Sequence, residues 1–115
     1  MTFKKKIGDF GEEIVSKYLL DRNYEILDRN YAKTYGEIDI IAMKDDVLCF
    51  VEVKTRKSDK FAYAAEAVNF YKQERIKKAS QAYMVENNLT DFLISYDVCE
   101  VYLDNRKINY IENAF

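Results

Sequence analysis

Two acidic residues and a lysine are the side chains of this sequence whose types and spacing could do chemistry. Asp39 is followed after twelve intervening residues by Glu52, and Lys54 stands two positions further on. Carboxylates are the side chains that hard divalent cations prefer as ligands, and a lysine beside them can act on a proton or on an anionic substrate. The chain contains no histidine, so histidine general acid–base catalysis and histidine-ligated metals are excluded.

The elements that must position these side chains are two strands within residues 36–56. Residues 37–43 and 47–55 are rich in Ile, Val and Phe, and a polar step separates them, which predicts a hairpin. Antiparallel pairing around that step places Asp39 opposite Glu52, and opposed residues share a face. The hairpin therefore predicts a cluster of acids at one end of a strand pair.

Both faces of the predicted hairpin are otherwise apolar, so it belongs inside a layered domain. Glu37 and Lys54 are predicted to pair and to extend the acidic face, because side chains alternate along a strand. Burying carboxylates is costly without a compensating lysine, a metal ion, or both. The face that carries the acids is also predicted to carry the apolar residues Ile41, Met43, Leu48 and Phe50. The opposite face is predicted to hold Ile38, Ile40, Ala42, Val47, Cys49, Val51 and Val53.

The remaining pattern predicts an α/β fold with an αβββαβ core, a central mixed sheet flanked by helices, in one domain spanning residues 1–115. The first helix should bury a stripe that includes Phe10 and place Glu12 at the stripe's border. Gly36 is expected to supply a bend. The predicted helices are residues 3–22 and 65–87, and the predicted strands are 24–29, 37–43, 47–55, 92–102 and 107–114.

Charge and cysteine usage narrow the functional class. A net charge of −2 and a pI near 5.2 argue against non-specific coating of nucleic acid, yet residues 54–78 carry eight basic residues against three acidic ones. Such a patch fits phosphate contacts on one face, and it equally fits a solvated charged helix. Cys49 and Cys99 lie in apolar strand patterns, which favours buried free thiols. The first residues contain no apolar run, so we expect a cytoplasmic protein without a membrane anchor.

The whole pattern resembles a known family. Gly11-Glu12, Gly36-Glu37-Ile38-Asp39, the run from Phe50 to Arg56 and Asp97-Val98 are similar to the YraN family. Through Asp39 and Glu52-Val53-Lys54 the sequence also resembles the PD-(D/E)xK nuclease superfamily, which has the restriction-endonuclease-like fold. The YraN family is described as predicted endonucleases similar to archaeal Holliday junction resolvases.

The resemblance implies a role for each site residue. Asp39, Glu52 and the Val53 carbonyl would hold Mg²⁺ or Mn²⁺, Lys54 would be the catalytic lysine, and Glu12 would be an additional acid. It implies metal-dependent hydrolysis of DNA, with branched DNA among the candidate substrates, by a homodimer whose two-fold axis matches two scissile strands. The basic residues expected at DNA are Arg56, Lys57, Lys72 and Arg75.

Two other functional classes remain open from the sequence. One is a nucleic-acid-binding module without catalysis, which would bind in a salt-sensitive manner without metal. The other is a protein-interaction module that uses aromatic side chains of the loops, namely Tyr31, Tyr35, Phe61 and Tyr63.

Overall fold

The computed structural model of the chain describes residues 3–58 and 68–115, and its elements follow the predicted order. None of its helices has the length and apolar character needed to cross a lipid bilayer, as far as the described residues go. The elements are α1 (Phe3–Leu20), β1 (Glu25–Lys33), β2 (Gly36–Lys44), β3 (Val47–Arg56), α2 (Phe70–Glu86), β4 (Leu93–Tyr102) and β5 (Ile108–Ile111).

The strands form one mixed sheet in the order β1-β2-β3-β4-β5. β3 and β4 are parallel, and the other neighbouring pairs are antiparallel. A parallel pair needs a crossover connection, and α2 lies in the segment that joins β3 to β4. The predicted αβββαβ core is confirmed, and β5 adds a strand at the edge.

Each face of the sheet is covered by one helix. The side that carries α2 buries Phe50 against Ile76 and Tyr83, and the side that carries α1 buries Val51 against Val15 and Leu19. Both cysteines are buried free thiols, as predicted. The apolar character of both hairpin faces is explained by these two cores.

The observed pairs of the hairpin have the predicted register, but the pairing of the two strands ends earlier than predicted. The pairs run from Lys44↔Val47 to Ile40↔Val51, and beyond Ile40 the strand β2 is paired with β1 alone. The predicted pairing of Glu37 with Lys54 is therefore wrong, since the partner of Glu37 is Ala32 of β1.

The predicted face of Ile38 is also wrong. Ile38 packs in the core beneath α2 with Phe50, whereas Ile40 packs on the α1 side as expected. The alternation is interrupted at this level of the sheet, because Asn30, which lies in β1 between the partners of Ile40 and Ile38, has a positive φ of 53° that a regular strand does not adopt. Tyr31, the β1 partner of Ile38, packs against the same core.

Several element boundaries differ from the predictions for local reasons. β1 continues to Lys33, four residues past its predicted end at 29. α2 begins at Phe70 because Asn69 caps it, its side-chain oxygen accepting from the Lys72 N–H at 2.8 Å. β5 ends at Ile111, and Asn113 has a positive φ of 49° that turns the chain out of the strand direction.

The remaining differences concern aromatic side chains and residues that the structure does not describe. Phe10 was expected in the buried stripe of α1, but it is 57% exposed because the stripe narrows toward Val15 and Leu19. Tyr31 was expected on a loop, yet it lies in β1 with its ring edge-on to Tyr83. The predicted start of the second helix at residues 65–67, together with Phe61 and Tyr63, lies outside the described residues.

Gly36 is required by packing, not by a bend. Its φ is not positive, and a Cβ at this position would lie 2.4 Å from the backbone oxygen of Arg75. The start of β2 therefore touches the backbone of α2. This contact sets the distance between the helix and the end of β2 that carries Asp39.

Gly36→Ala is expected to destabilise the protein, because a methyl group cannot fit against a helix backbone without moving α2. An overpacked contact of this kind costs about 1–3 kcal/mol. Gly8→Ala is the matched control, since a Cβ at Gly8 meets nothing within 4 Å, and alanine in a helix gains up to about 1 kcal/mol over glycine. Chemical denaturation of both variants checks this. A Gly36→Ala protein as stable as Gly8→Ala would contradict it.

Candidate active site

The site lies where β2 and β3 separate. Their ladder ends at the Ile40↔Val51 pair, and Asp39 is the next residue of β2. The Asp39 Oδ2 accepts a hydrogen bond from the Val53 backbone N–H at 2.8 Å. The Asp39 carboxylate thus accepts from a backbone N–H of β3 that has no partner in β2, and this bond holds the carboxylate between the two strands.

Asp39 and Glu52 lie close together, although they are not a ladder pair, because the pairing of β2 with β3 ends at Ile40↔Val51. Asp39 is partly buried, and Glu52 is only 5% exposed. Burial raises the pKa of Asp39 to about 8, the negative charge of Glu52 adds to the increase, and the Val53 N–H opposes it. Two carboxylates in one buried place cannot both stay ionised without a cation, so either a proton or a positive charge must lie between them.

Two lysines face Glu52 from different elements. The Lys72 Nζ, from the first turn of α2, donates a hydrogen bond to Glu52 Oε1, and Lys54 Nζ lies 3.9 Å from the same oxygen. Burial lowers the pKa of Lys54, and the neighbouring charge of Lys72 lowers it further. Burial alone would lower the pKa of Lys72, but the bond to Glu52 and the negative charges of Glu52 and Asp39 together outweigh burial and raise it. The site therefore contains one tightly paired and one loosely paired ammonium.

Glu12 approaches the same place from α1. Gly11 lets the helix come close to β3, since a Cβ there would lie 2.0 Å from Thr55 Oγ1. Glu12 is buried, its Oε1 lies 3.9 Å from Arg29 Nη2, and its negative charge contributes to the raised pKa of Asp39. Burial in turn raises the pKa of Glu12. The predicted additional acid is thus near Asp39, and Arg29 is a partner that the sequence reasoning missed.

The four basic residues that were predicted to contact DNA lie in different environments. Lys72 lies in the acidic site, and its position four residues before buried Ile76 was the sequence signal for that. The Arg56 Nε is paired with Glu100 Oε2 at 3.1 Å. Lys57 is exposed, and Arg75 is partly buried with its guanidinium 5.8 Å from the Tyr71 ring centroid.

Comparison with known proteins identifies the family. A model described as "Uncharacterised protein family UPF0102" matches residues 11–101. A UPF0102 protein of Clostridioides difficile (strain 630) is 47% identical over 111 residues, covering 96% of this chain and 97% of its own. A UPF0102 protein of Alkaliphilus oremlandii (strain OhILAs) is 48% identical over 115 residues, covering 96% and 98%.

The chain belongs to the UPF0102 family. This is the YraN family that the sequence resembles. The match to the family model includes Glu12, Asp39, Glu52, Lys54 and Lys72, because all five lie between residues 11 and 101.

The oxygen ligands of this UPF0102 site suit a hard cation. Asp39 and Glu52 offer two neighbouring carboxylates, and burial followed by the negative charge of Glu52 raises the pKa of Asp39. No group of three or more His, Cys, Asp and Glu side chains in residues 3–58 and 68–115 is arranged around one metal position. Mg²⁺ fits such a small set, since it is commonly held by one or two carboxylates and retains several waters.

Another buried acid of the UPF0102 chain, Asp97, lies outside this site and is fully paired. It is 1% exposed and accepts hydrogen bonds from Tyr110 Oη, Ser95 Oγ and the Asn113 N–H. The Phe115 ring stacks on Tyr96 with centroids 5.3 Å apart, close to the same network. Asp97 therefore ties β4 to β5 and to the last residues of the chain.

The pKa of Asp39 gives the protein a pH-dependent stability. The folded-state pKa lies above the ordinary aspartate value of 3.8, at about 8. Between about pH 4 and pH 8 the native state therefore holds a proton that the unfolded chain has released, and stability falls as pH rises through that window. Asp39→Asn keeps an acceptor for the Val53 N–H and removes the charge. We expect it to exceed wild type in stability by at least about 1 kcal/mol above pH 8.

Denaturant unfolding in EDTA from about pH 4.5 to pH 8.5 measures this difference at each pH. Asp91→Asn is the matched control, because Asp91 is exposed on the segment before β4, and it should show no growing gap. A gap between wild type and Asp39→Asn that stays constant or narrows with rising pH would contradict the assignment.

Proposed function

We propose that this protein is a metal-dependent endonuclease that hydrolyses phosphodiester bonds of DNA. The observation that carries the proposal is the placement of Asp39, bonded to the Val53 N–H at 2.8 Å, beside the buried carboxylate of Glu52, which two lysines face. Neighbouring acids held away from solvent destabilise a fold, and such groups are concentrated at functional sites. The αβββαβ core is consistent with the restriction-endonuclease-like fold and supports the same reading.

Asp39, Glu52 and the Val53 carbonyl are the groups that would hold Mg²⁺ or Mn²⁺. The chemistry that such an ion supplies is Lewis-acid activation of the phosphate and of water. The Val53 N–H fixes the orientation of Asp39 through its 2.8 Å hydrogen bond, so the carboxylate is positioned before any ligand arrives.

Lys54 is the proposed catalytic lysine. Burial and the charge of Lys72 lower its pKa, which increases the fraction of amine that can accept a proton from the attacking water. As that proton passes to Nζ, the water oxygen bonds to phosphorus and the leaving oxygen departs with the electrons of its bond. The resulting ammonium then lies beside an anionic phosphate.

Glu12 is proposed to act through Asp39. Its negative charge raises the pKa of Asp39 and so strengthens the demand of the site for a cation. Arg29 lies 3.9 Å from Glu12 and limits that effect, since it offsets part of the charge.

DNA is the proposed partner, with branched DNA among the candidate substrates. Lys57 is exposed directly after the end of β3, which carries Lys54, and the partly buried Arg75 lies on α2, which carries Lys72. We propose a homodimer in the cytoplasm, since two copies related by a two-fold axis would match two scissile strands. The buried free thiols of Cys49 and Cys99 suit a reducing compartment.

A nucleic-acid-binding module without catalysis is the second candidate. The pairing of Lys72 with Glu52 favours it, because two acids and two lysines can balance their charges without a metal ion. This alternative predicts DNA binding that weakens with salt and is indifferent to EDTA.

Cleavage assays on four-way, flap, linear duplex and single-stranded DNA in Mg²⁺ or Mn²⁺ test the proposal. We expect cleavage of at least one substrate by the wild type, lost in EDTA. Asp39→Ala and Lys54→Ala should each lower the rate by at least about a hundredfold, because they remove a metal ligand and the proton acceptor.

Lys78→Ala is the matched control, since Lys78 is exposed on α2, and it should cleave as the wild type does. The proposal is wrong if no substrate is cleaved in either metal, or if Asp39→Ala and Lys54→Ala cleave as fast as the wild type. Retained salt-sensitive binding without cleavage would point to the second candidate.

A further inference from the structure

We propose that Lys72 is an internal counter-ion of the site, which occupies Glu52 until a divalent cation displaces it, so that Lys72 sets the affinity of the site for metal. The inference rests on the proposed function, because it takes Asp39 and Glu52 as the metal ligands. It assigns a positioning and regulatory role to a residue that the sequence indicated as a DNA contact.

The pairing itself is the first support. Glu52 is 5% exposed, so water cannot solvate its charge, and the Lys72 ammonium donates directly to its Oε1. Lys54 is a weaker partner, at 3.9 Å from the same oxygen. A buried carboxylate needs a cation close to it, and Lys72 provides that cation when no metal is bound.

The placement of Lys72 makes it the group that can leave. Its side chain is 43% exposed, compared with 27% for Lys54 and 6% for Glu52. Lys72 lies in the first turn of α2, and its backbone N–H is fixed by the Asn69 cap. A flexible four-carbon chain on a fixed backbone can move its ammonium toward solvent while the helix stays in place.

Charge repulsion explains why the ammonium must move. A divalent cation bound between Asp39 and Glu52 would share an oxygen with Lys72, and like charges so close repel strongly. Once displaced, Lys72 remains attached beside the site and can contact an anionic phosphate bound there. The same side chain would then serve first the carboxylate and later the substrate.

Titration calorimetry with MnCl₂ on the wild type, Lys72→Met and Lys78→Met tests the inference. Methionine keeps the length of the lysine chain and removes the charge. The repulsion between a single positive charge and a divalent cation about 6 Å away lowers the binding constant of the cation about tenfold, even at the dielectric constant of water. We therefore expect Lys72→Met to bind Mn²⁺ at least about tenfold more tightly than wild type, and Lys78→Met to match wild type.

A second measurement uses the wild-type chain, so it does not depend on how the variant folds. In ¹³C spectra of the reductively methylated protein, adding Mg²⁺ should move the Lys72 signal toward those of exposed lysines such as Lys78. A Lys72 signal that stays unchanged while Mg²⁺ binds would overturn the inference. So would a folded Lys72→Met protein that binds Mn²⁺ with wild-type or weaker affinity.

The outcomes separate this inference from the metal site on which it rests. If neither the wild type nor Lys72→Met binds Mn²⁺, the proposed metal site itself fails, and the inference fails with it. If the wild type binds Mn²⁺ through Asp39, shown by loss of binding in Asp39→Ala, and Lys72→Met gains nothing, only the role of Lys72 is wrong.

Discussion

The closeness of two carboxyl groups, one buried and one partly buried, is the constraint on which the rest of the site depends. Asp39 and Glu52 come from adjacent strands and meet where those strands cease to pair. Mutual repulsion and burial make this arrangement unfavourable unless a proton or a cation lies near it. Lys54 and Lys72 supply positive charge beside Glu52, whereas the negative charge of Glu12 increases the need for a cation.

Each layer of the fold contributes one charged side chain to the site. α1 brings Glu12 close through the contact of Gly11 with Thr55, and α2 brings Lys72 onto Glu52. Lys54 belongs to β3 itself. The two helices therefore bring opposite charges to the site, since Glu12 comes from α1 and Lys72 from α2. Either side chain can be substituted without changing the hairpin that holds Asp39.

The sequence was sufficient to predict features that follow from the alternation of side chains along a strand. It was not sufficient for features that depend on how strands and helices pack together. The register that brings Asp39 to Glu52 followed from alternation along the hairpin and is confirmed by the pairs up to Ile40↔Val51. The face of Ile38 could not be predicted, because it depends on the irregular backbone of the neighbouring strand at Asn30. The partner of Lys72 also needed the distance between α2 and the sheet.

Anomalous diffraction from a crystal soaked in Mn²⁺ tests the central claim most directly. The account predicts a manganese peak in contact with both the Asp39 and Glu52 carboxylates, with the Lys72 ammonium moved away from Glu52. A fully soaked crystal with no peak between these two carboxylates, and with Lys72 still bound to Glu52, would contradict it.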